Sequence, residues 1–197
     1  MVGLQGSGKT TTILSLLRNK PDNERWAVLV NEFGEIGLDH EFVVGGSEDM
    51  VLLNNGCLCC TVRGDLVNTL RDLIVIRARG ETPPFKKVLI ETTGLADPAP
   101  ILHTLMGDDL VTQYYRLDGV ITTIDAAVGE TTLDTQYESV KQVAVADRLL
   151  ITKSDLVGDK EIDEIRKRLR LINPAAPSIT VLNGNVSTDD IFGCGLY

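Results

Sequence analysis

The sequence predicts an α/β fold with a mostly parallel sheet flanked by helices on both faces. Short apolar runs of strand length alternate with segments of helical period, as expected for strands joined by crossover helices. A glycine-rich segment at residues 3–10 matches G-x-x-x-x-G-K-[ST] and directly precedes a helical segment. Together these two observations predict a P-loop nucleotide-binding fold.

Apolar runs predict six strands, and helical periodicity predicts five helices. The strands are expected at residues 26–30, 50–53, 87–90, 118–124, 148–151 and 178–182. The helices are expected at residues 10–18, 66–78, 99–105, 135–145 and 160–171.

Length and composition bound the class of protein. The 197 residues fit one domain, and 43% hydrophobic with 24% charged residues is ordinary for a folded globular chain. The formal net charge of -9 argues against a nucleic-acid partner, which needs a basic face. No apolar run reaches the roughly 18 residues that span a bilayer, so we expect a cytoplasmic protein with no membrane partner.

The residues at both ends of the chain indicate where the boundaries of the domain lie. A P-loop follows a buried strand, yet only Met1 and Val2 precede Gly3, so we expect that strand to be truncated. Residues 191–197 are apolar and contain two glycines, which is more typical of the approach to a further segment. The expected unit is a single P-loop domain at residues 1–197, with a further domain outside this chain.

The glycine-rich segment is expected to bind the phosphates of a nucleotide. Its glycines allow successive backbone N–H groups to curl around a phosphate at a helix N-terminus. The Lys9 ammonium would reach the β- and γ-phosphates, and the Thr10 hydroxyl would contact magnesium. The nucleotide contacts expected in this segment are Gly3, Gly6, Ser7, Gly8, Lys9, Thr10 and Thr11.

A second phosphate-side motif follows the strand at residues 87–90. Glu91 ends this apolar run, and Gly94 stands three residues later. A carboxylate at this place holds magnesium through water, and a glycine N–H can meet the γ-phosphate. We therefore expect Lys9, Thr10 and Glu91 to be the catalytic residues.

Residues 152–155, Thr-Lys-Ser-Asp, predict the site that recognises the base. The Asp155 carboxylate could accept hydrogen bonds from both N1–H and the exocyclic amine of guanine, a pair of donors that adenine does not offer. The usual pattern is N-K-x-D, and Thr152 replaces its Asn. We assign Thr152, Lys153 and Asp155 to nucleotide binding and expect GTP or GDP as the ligand.

Three cysteines, Cys57, Cys59 and Cys60, lie within four residues, after an apolar strand and before a helical segment. A helix N-terminus would lower the pKa of a thiol, and thiolates bind zinc, cobalt or copper(I). Three thiolates are one ligand short of a closed tetrahedral site, so an open, transferable site is favoured. Cys194 stands apart and is expected to be a small buried side chain.

Residues 31–40 contain three carboxylates and His40 in a loop with two glycines, where a nucleotide-sensing switch would lie. Glu35 and Asp39 are candidate ligands for a transition metal or magnesium, and simple solvation of these two carboxylates is equally open. For His40 and His103, an ordinary surface or core role is favoured over metal binding.

These motifs together resemble the CobW-type metallochaperone GTPases, and the resemblance covers nearly all of the chain. It rests on the P-loop, Asn-Glu-Phe-Gly-Glu at 31–35, Asn-Gly-Cys-Leu-Cys-Cys at 55–60, Glu-Thr-Thr-Gly at 91–94, the Ala-Asp-Pro that follows, and Thr-Lys-Ser-Asp at 152–155. The resemblance implies GTP hydrolysis with Mg²⁺ coupled to delivery of Zn²⁺, or alternatively Co²⁺, to a client protein. It also implies a C-terminal domain beyond this chain, and a homodimer that bridges a metal stays open.

From the motifs and the resemblance we expect GTP to order residues 32–39 and bring the cysteines into a metal-holding geometry that hydrolysis relaxes. The sequence shows no obvious glutamine or arginine finger, so slow intrinsic turnover is expected. Two other functions remain open. One is a non-catalytic metal sensor or store with a structural nucleotide, and the other is a P-loop ATPase or kinase regulated by oxidation of its thiols.

Overall fold

The computed structural model describes residues 1–31, 43–47, 50–53, 58–61, 66–92, 94 and 96–195. The strands are β1 (Trp26–Asn31), β2 (Val43–Ser47), β3 (Met50–Leu53), β4 (Leu58–Thr61), β5 (Lys87–Thr92), β6 (Ile121–Asp125), β7 (Arg148–Thr152) and β8 (Ser178–Thr180). The helices are α1 (Lys9–Asn19), α2 (Leu66–Ala78), α3 (Pro98–Gly107), α4 (Asp109–Tyr114), α5 (Gly129–Thr135), α6 (Tyr137–Ala144), α7 (Asp159–Ile172) and α8 (Thr188–Ile191), and a short 3-10 helix covers Ser154–Leu156.

The strands form two sheets, in the orders β2-β3-β4-β1-β5 and β6-β7-β8. Met1 and Val2 lie between them. The Thr92 N–H donates to the Met1 carbonyl, the Val2 N–H donates to the Ile121 carbonyl, and the Thr123 N–H donates to the Val2 carbonyl, at 2.9 to 3.1 Å. These two residues therefore join β5 to β6 through main-chain hydrogen bonds.

Strand β1 shows why helices cover both faces of its sheet. Successive side chains of a strand point to opposite faces. Trp26 and Val28 pack in one apolar cluster with Ile13, Leu16 and Leu17 of α1. Ala27 and Leu29 pack in a second cluster with α2, through Leu66, Val67, Leu70 and Leu73. The prediction of helices on both faces is confirmed.

The predicted parallel pairing holds for most of the described strands. Strand β1 pairs in parallel with β4 and β5, and β7 pairs in parallel with β6 and β8. The predicted strand at residues 50–53 is present as β3, but it pairs antiparallel with β2 and β4. The sheet is thus mostly parallel, with an antiparallel edge that the apolar pattern did not reveal.

All five predicted helices are present, and capping side chains mark the start of three of the observed helices, α3, α4 and α8. Helix α3 begins at Pro98, where the Asp97 side chain caps it by accepting from the Ala99 N–H at 3.0 Å. The helix expected at 135–145 is present as α6, which covers Tyr137–Ala144, and α5 ends at Thr135, where the expected helix begins. Helices α4, α5 and α8 and strands β2 and β4 were not predicted, since they are short and carry glycines, polar residues or cysteines rather than a clear apolar period.

At the end of the sheet opposite the P-loop, polar contacts join the side chains of Glu24, Trp26 and Lys87. The Glu24 carboxylate accepts from the Trp26 indole at 2.9 Å and from the Lys86 and Lys87 ammonium groups at 3.2 and 3.3 Å. The Lys87 ammonium also lies 4.3 Å from the centre of the Phe192 ring, which packs edge-on against Trp26. The residues after α8 are thereby fixed to β1 and β5.

In the part of the chain that the structure describes, no helix combines the length and apolar character needed to cross a membrane.

A cavity of about 490 Å³ lies beside Met1 and Val2, between β5 and helices α3 and α4. It is separate from the site described next.

Candidate functional site

The glycine-rich segment forms a loop between Val2 and α1 at one end of the sheet. Gly3, Gly6 and Gly8 all have left-handed backbones, with φ of 138°, 77° and 86°. Gly3 also packs so tightly that a Cβ there would lie 2.2 Å from the Thr123 hydroxyl oxygen. A side chain at Gly3 is therefore excluded by both conformation and space.

Hydrogen bonds from two neighbouring strands hold this loop in place. The Ser7 and Thr123 hydroxyl groups lie 2.7 Å apart in a buried hydrogen bond. The Thr152 hydroxyl, at the end of β7, lies 2.8 Å from the Ser7 carbonyl and 3.1 Å from the Ile124 carbonyl. Thr123 was not predicted as part of the site; as a threonine inside an apolar strand it gave no distinctive signal.

Lys9 starts α1 and bends back over the loop. Its side chain is only 4% exposed, and its ammonium donates to the Leu4 carbonyl at 3.1 Å. Thr11 follows in the first turn and is exposed. A cation is thus held at the helix N-terminus beside the curled backbone, which is the arrangement that attracts phosphate.

Thr10 and Glu91 meet as the motifs predict. The Thr10 hydroxyl donates to the Glu91 carboxylate at 2.7 Å, and Glu91 is 1% exposed near the end of β5. A hydroxyl and a carboxylate are the hard oxygen donors that Mg²⁺ prefers. The donor set at this position therefore fits magnesium.

Gly94 lies directly against the P-loop backbone. A Cβ at Gly94 would stand 2.3 Å from the Gln5 nitrogen and 3.0 Å from the Gln5 Cα. The Gly94 carbonyl accepts a hydrogen bond from the buried amide of Gln142, on α6, at 3.0 Å. Gln142 was missed from the sequence, because only the tertiary fold brings α6 to this position.

Lys153 and Asp155 directly follow β7, whose last residue, Thr152, contacts the P-loop. Lys153 has a left-handed backbone, with φ of 54°, and its ammonium pairs with the Asp125 carboxylate at 2.6 Å. Asp155 lies in the short 3-10 helix and is exposed. Asp125 was also missed; its signal was a carboxylate ending an apolar strand, the same signal that identified Glu91.

The predicted transition-metal ligands are only partly covered by the structure. Glu35, Asp39 and Cys57 lie outside the described residues. Cys59 and Cys60 belong to β4, where they pair with Val28 and Leu29 of β1. The expectation that these two cysteines lie at a helix N-terminus was wrong, since they lie within a strand and α2 begins only at Leu66.

No group of three or more His, Cys, Asp or Glu side chains able to hold a metal ion occurs within the described ranges.

Cys194 is half-buried beside Gly119, where its thiol donates to the Ile191 carbonyl at 3.1 Å. Burial raises the pKa of this thiol. Cys194 was expected to be a small buried side chain, and the structure places it as only half-buried.

Comparisons with known proteins agree on the family. The model of the nucleotide-binding domain of the CobW/HypB/UreG family matches residues 1–180. The zinc chaperone YjiA of Escherichia coli is 35% identical over 192 residues, which are 98% of this chain and 59% of that protein. Zinc-regulated GTPase metalloprotein activator 1 of Schizosaccharomyces pombe is 34% identical over 198 residues, covering 97% of this chain and 46% of that protein.

A solved structure confirms the P-loop fold. The crystal structure of Zn(II)-bound YjiA GTPase from Escherichia coli matches with a TM-score of 0.79 at 34% identity, covering 98% of this chain and 59% of that one. The chain thus spans about half to three fifths of the length of these relatives. By fold, family model and sequence identity, this chain belongs to the CobW/HypB/UreG family of nucleotide-binding domains.

Proposed function

We propose that this domain binds and hydrolyses GTP with magnesium and couples its nucleotide state to the binding and transfer of zinc. One observation carries the nucleotide part of this proposal. The P-loop, the Thr10–Glu91 pair and the Thr152–Asp155 segment converge at the same end of the sheet. A nucleotide bound there would have its phosphates on the loop and its base beside Asp155.

Phosphate binding needs the loop and Lys9. Backbone N–H groups of the loop and the Lys9 ammonium would surround the β- and γ-phosphates. The Lys9 ammonium donates to the Leu4 carbonyl within the same loop, and a phosphate oxygen would replace that carbonyl as its acceptor. Gly3, Gly6, Ser7, Gly8 and Thr11 complete the proposed phosphate contacts.

The Thr10 hydroxyl and the Glu91 carboxylate would hold the magnesium ion. Bound there, magnesium neutralises charge that develops on the transferred phosphoryl group. Lys9 shares this role, and Gly94 presents its N–H to the γ-phosphate. We expect slow intrinsic turnover, accelerated by a metal or a partner.

Base recognition is assigned to Asp155, supported by Thr152 and Lys153. The Lys153–Asp125 ion pair fixes the chain just before Asp155, so that this carboxylate can point toward a base. A carboxylate that accepts two donors favours guanine, and this distinguishes our proposal from the ATPase or kinase alternative.

Replacing Asp155 with Asn tests the base assignment. We expect the preference for GTP over ATP to fall by about 10- to 100-fold, since a charge-assisted pair of hydrogen bonds is lost. Competition against a fluorescent GDP analogue measures both affinities. Asp22→Asn, at an exposed turn, is the control and should leave the preference unchanged; an unchanged preference in the Asp155 variant would mean that another residue reads the base.

The metal part of the proposal rests on the cysteine motif and on the relatives. Cys57, Cys59 and Cys60, with Glu35 and Asp39 as further candidate ligands, would form an open zinc site that releases its ion to a client protein. Relatives at 34 and 35% identity are named a zinc-regulated GTPase metalloprotein activator and a zinc chaperone. Cobalt is the alternative cargo, because thiolates bind both ions, and a homodimer that shares the metal is compatible with this proposal.

A metal titration in two nucleotide states tests this coupling. Zinc and then cobalt are added with GDP or a non-hydrolysable GTP analogue present, and affinity is followed with a competing chelator and by cobalt–thiolate absorption. Tighter binding with the GTP analogue is expected, and Cys59→Ala should abolish it while Cys194→Ala should not. Equal affinity in both states would favour a metal store or sensor with a structural nucleotide.

A further inference from the structure

The segment after β5, described here by Gly94, Ala96 and Asp97, is held from one side by the P-loop and from the other by α6. Gly94 contacts the backbone of Leu4 and Gln5 so closely that no Cβ would fit. On the opposite side, Gln142 and its neighbour Lys141 each make polar contacts with the segment.

Gln142 makes the buried part of this connection. Its amide nitrogen donates to the carbonyls of Gly94 and Ala96, both at 3.0 Å, and its side chain is 1% exposed. The main-chain carbonyl of Gln142 accepts a hydrogen bond from the Thr122 hydroxyl of β6 at 2.8 Å. The residue is thus fixed to the sheet through its main chain while both amide hydrogens hold the segment.

The contact made by Lys141 is weaker. Its ammonium lies 2.6 Å from the Asp97 carboxylate, but both side chains are about one third exposed. Exposed ion pairs contribute little because water screens them, whereas a buried carbonyl that loses its donor is costly. Gln142 therefore contributes more than Lys141 to holding this segment against α6.

Space for movement exists beside Gln142. A cavity of about 270 Å³ lies between the P-loop and helices α5 and α6, lined by Leu4, Gln5, Ser7, Gln136 and Gln142 among others. The P-loop and Gln142 therefore border the same open space.

We propose that Gln142 is a positioning residue for GTP hydrolysis, which holds Gly94 against the P-loop so that its N–H meets the γ-phosphate. This inference rests on the proposed GTPase function. It predicts an effect on turnover rather than on nucleotide affinity, because Lys9, the loop and Asp155 hold the rest of the nucleotide without Gln142.

Gln142→Met tests this role, since methionine keeps the length of the side chain and removes both donors. Because Gln142 holds the carbonyls of Gly94 and Ala96, its loss should loosen the whole segment, and hydrogen exchange followed by mass spectrometry should show the peptide that contains Gly94 and Ala96 exchanging about tenfold faster in the variant. The kcat for GTP should fall by about tenfold while KM stays within about twofold. Gln113→Met, on the exposed side of α4, is the matched control. Gln142→Leu, which also lacks donors and buries no charge, replaces the methionine variant if that one does not fold.

The two proposals fail in different ways. If the wild-type protein hydrolyses GTP but the variant shows unchanged exchange, or unchanged kcat, Gln142 is not a positioning residue. A rise in KM with an unchanged kcat would also overturn this role, because it would show that Gln142 affects nucleotide binding rather than turnover. If the wild type does not hydrolyse GTP, the proposed function fails, and the exchange of Gly94 and Ala96 still decides whether Gln142 holds the segment.

Discussion

The Thr152 hydroxyl connects the P-loop to the sheet. Its hydroxyl lies between the carbonyls of Ser7 and Ile124, and the residue is buried. A hydroxyl has one hydrogen to donate, so this hydrogen is shared between two protein carbonyls. Thr152 therefore connects the P-loop to the sheet, and the proposed choice of guanine depends on Asp155.

Thr152→Val tests this connection, because valine keeps the shape and removes the hydroxyl. We expect the free energy of unfolding to fall by about 1 to 3 kcal/mol, since the Ser7 carbonyl is left buried without this donor. Nucleotide affinity should fall with it, as the loop loses its tether. Denaturant unfolding and binding of a fluorescent GDP analogue measure the two effects.

Thr131→Val, at an exposed position on α5, is the matched control for the loss of a hydroxyl. It should change neither stability nor affinity appreciably. A Thr152 variant with the stability and affinity of the wild type would show that the loop holds its shape without this hydrogen bond.

At the scale of elements, the site depends on the close approach of two backbone segments rather than on one motif. The segment after β5 meets the P-loop at Gly94, where there is no room for a side chain. Both segments are main chain at this point, so neither can yield by changing a rotamer. Any added atom must displace the loop that is proposed to bind phosphate.

Gly94→Ala is therefore expected to lower GTP affinity by tenfold or more, roughly the effect of losing one or two well-made hydrogen bonds. Gly107→Ala is the matched control, since it ends α3 and a Cβ there meets nothing within 4 Å. Calorimetric titration measures the affinity, and thermal melting separates it from unfolding. Equal affinities in the two variants would mean that the segment moves away from the P-loop at no cost.

At the scale of the whole molecule, polar contacts at the end of the sheet opposite the P-loop link distant parts of the chain. Glu24 accepts hydrogen bonds from Trp26, Lys86 and Lys87. The Trp26 indole and the Lys86 ammonium are the main causes that lower the pKa of this carboxyl from 4.5 to about 2. A carboxyl with a lowered pKa in the folded state stabilises that state when it is ionised.

This shift predicts a pH dependence with a definite sign. The contribution of Glu24 is fully present above about pH 4.5 and is lost as pH falls toward 2. The difference in Tm between Glu24→Gln and the wild type should therefore be largest near neutral pH and shrink below pH 4.5. Thermal melting from pH 2 to 7 measures it, with Glu81→Gln, on an exposed loop, as the control. A difference that stays constant over this range would contradict the assignment.

The sequence by itself determined the fold class and most of the proposed nucleotide site. Alternating strand and helix periods predicted the layered sheet, and short motifs identified Lys9, Thr10 and Glu91, which the structure brings together. The predicted fold class is confirmed, and the three motif residues lie together, because periodicity and motif spacing are local properties and the carboxyl ends of parallel strands meet at one end of a sheet. The cysteine motif gave the metal proposal in the same way.

Only the tertiary structure decided which other residues complete the site. Thr123 and Gln142 come from β6 and α6, far along the chain from the P-loop, and their polar side chains carry no local pattern. Asp125, which ends β6, carried the same local signal as Glu91 but was missed. The antiparallel pairing of β3 and β4 was hidden for the same reason, because an apolar run predicts a strand but not its neighbours. Contacts between distant segments form through the packing of the whole sheet, which local sequence does not encode.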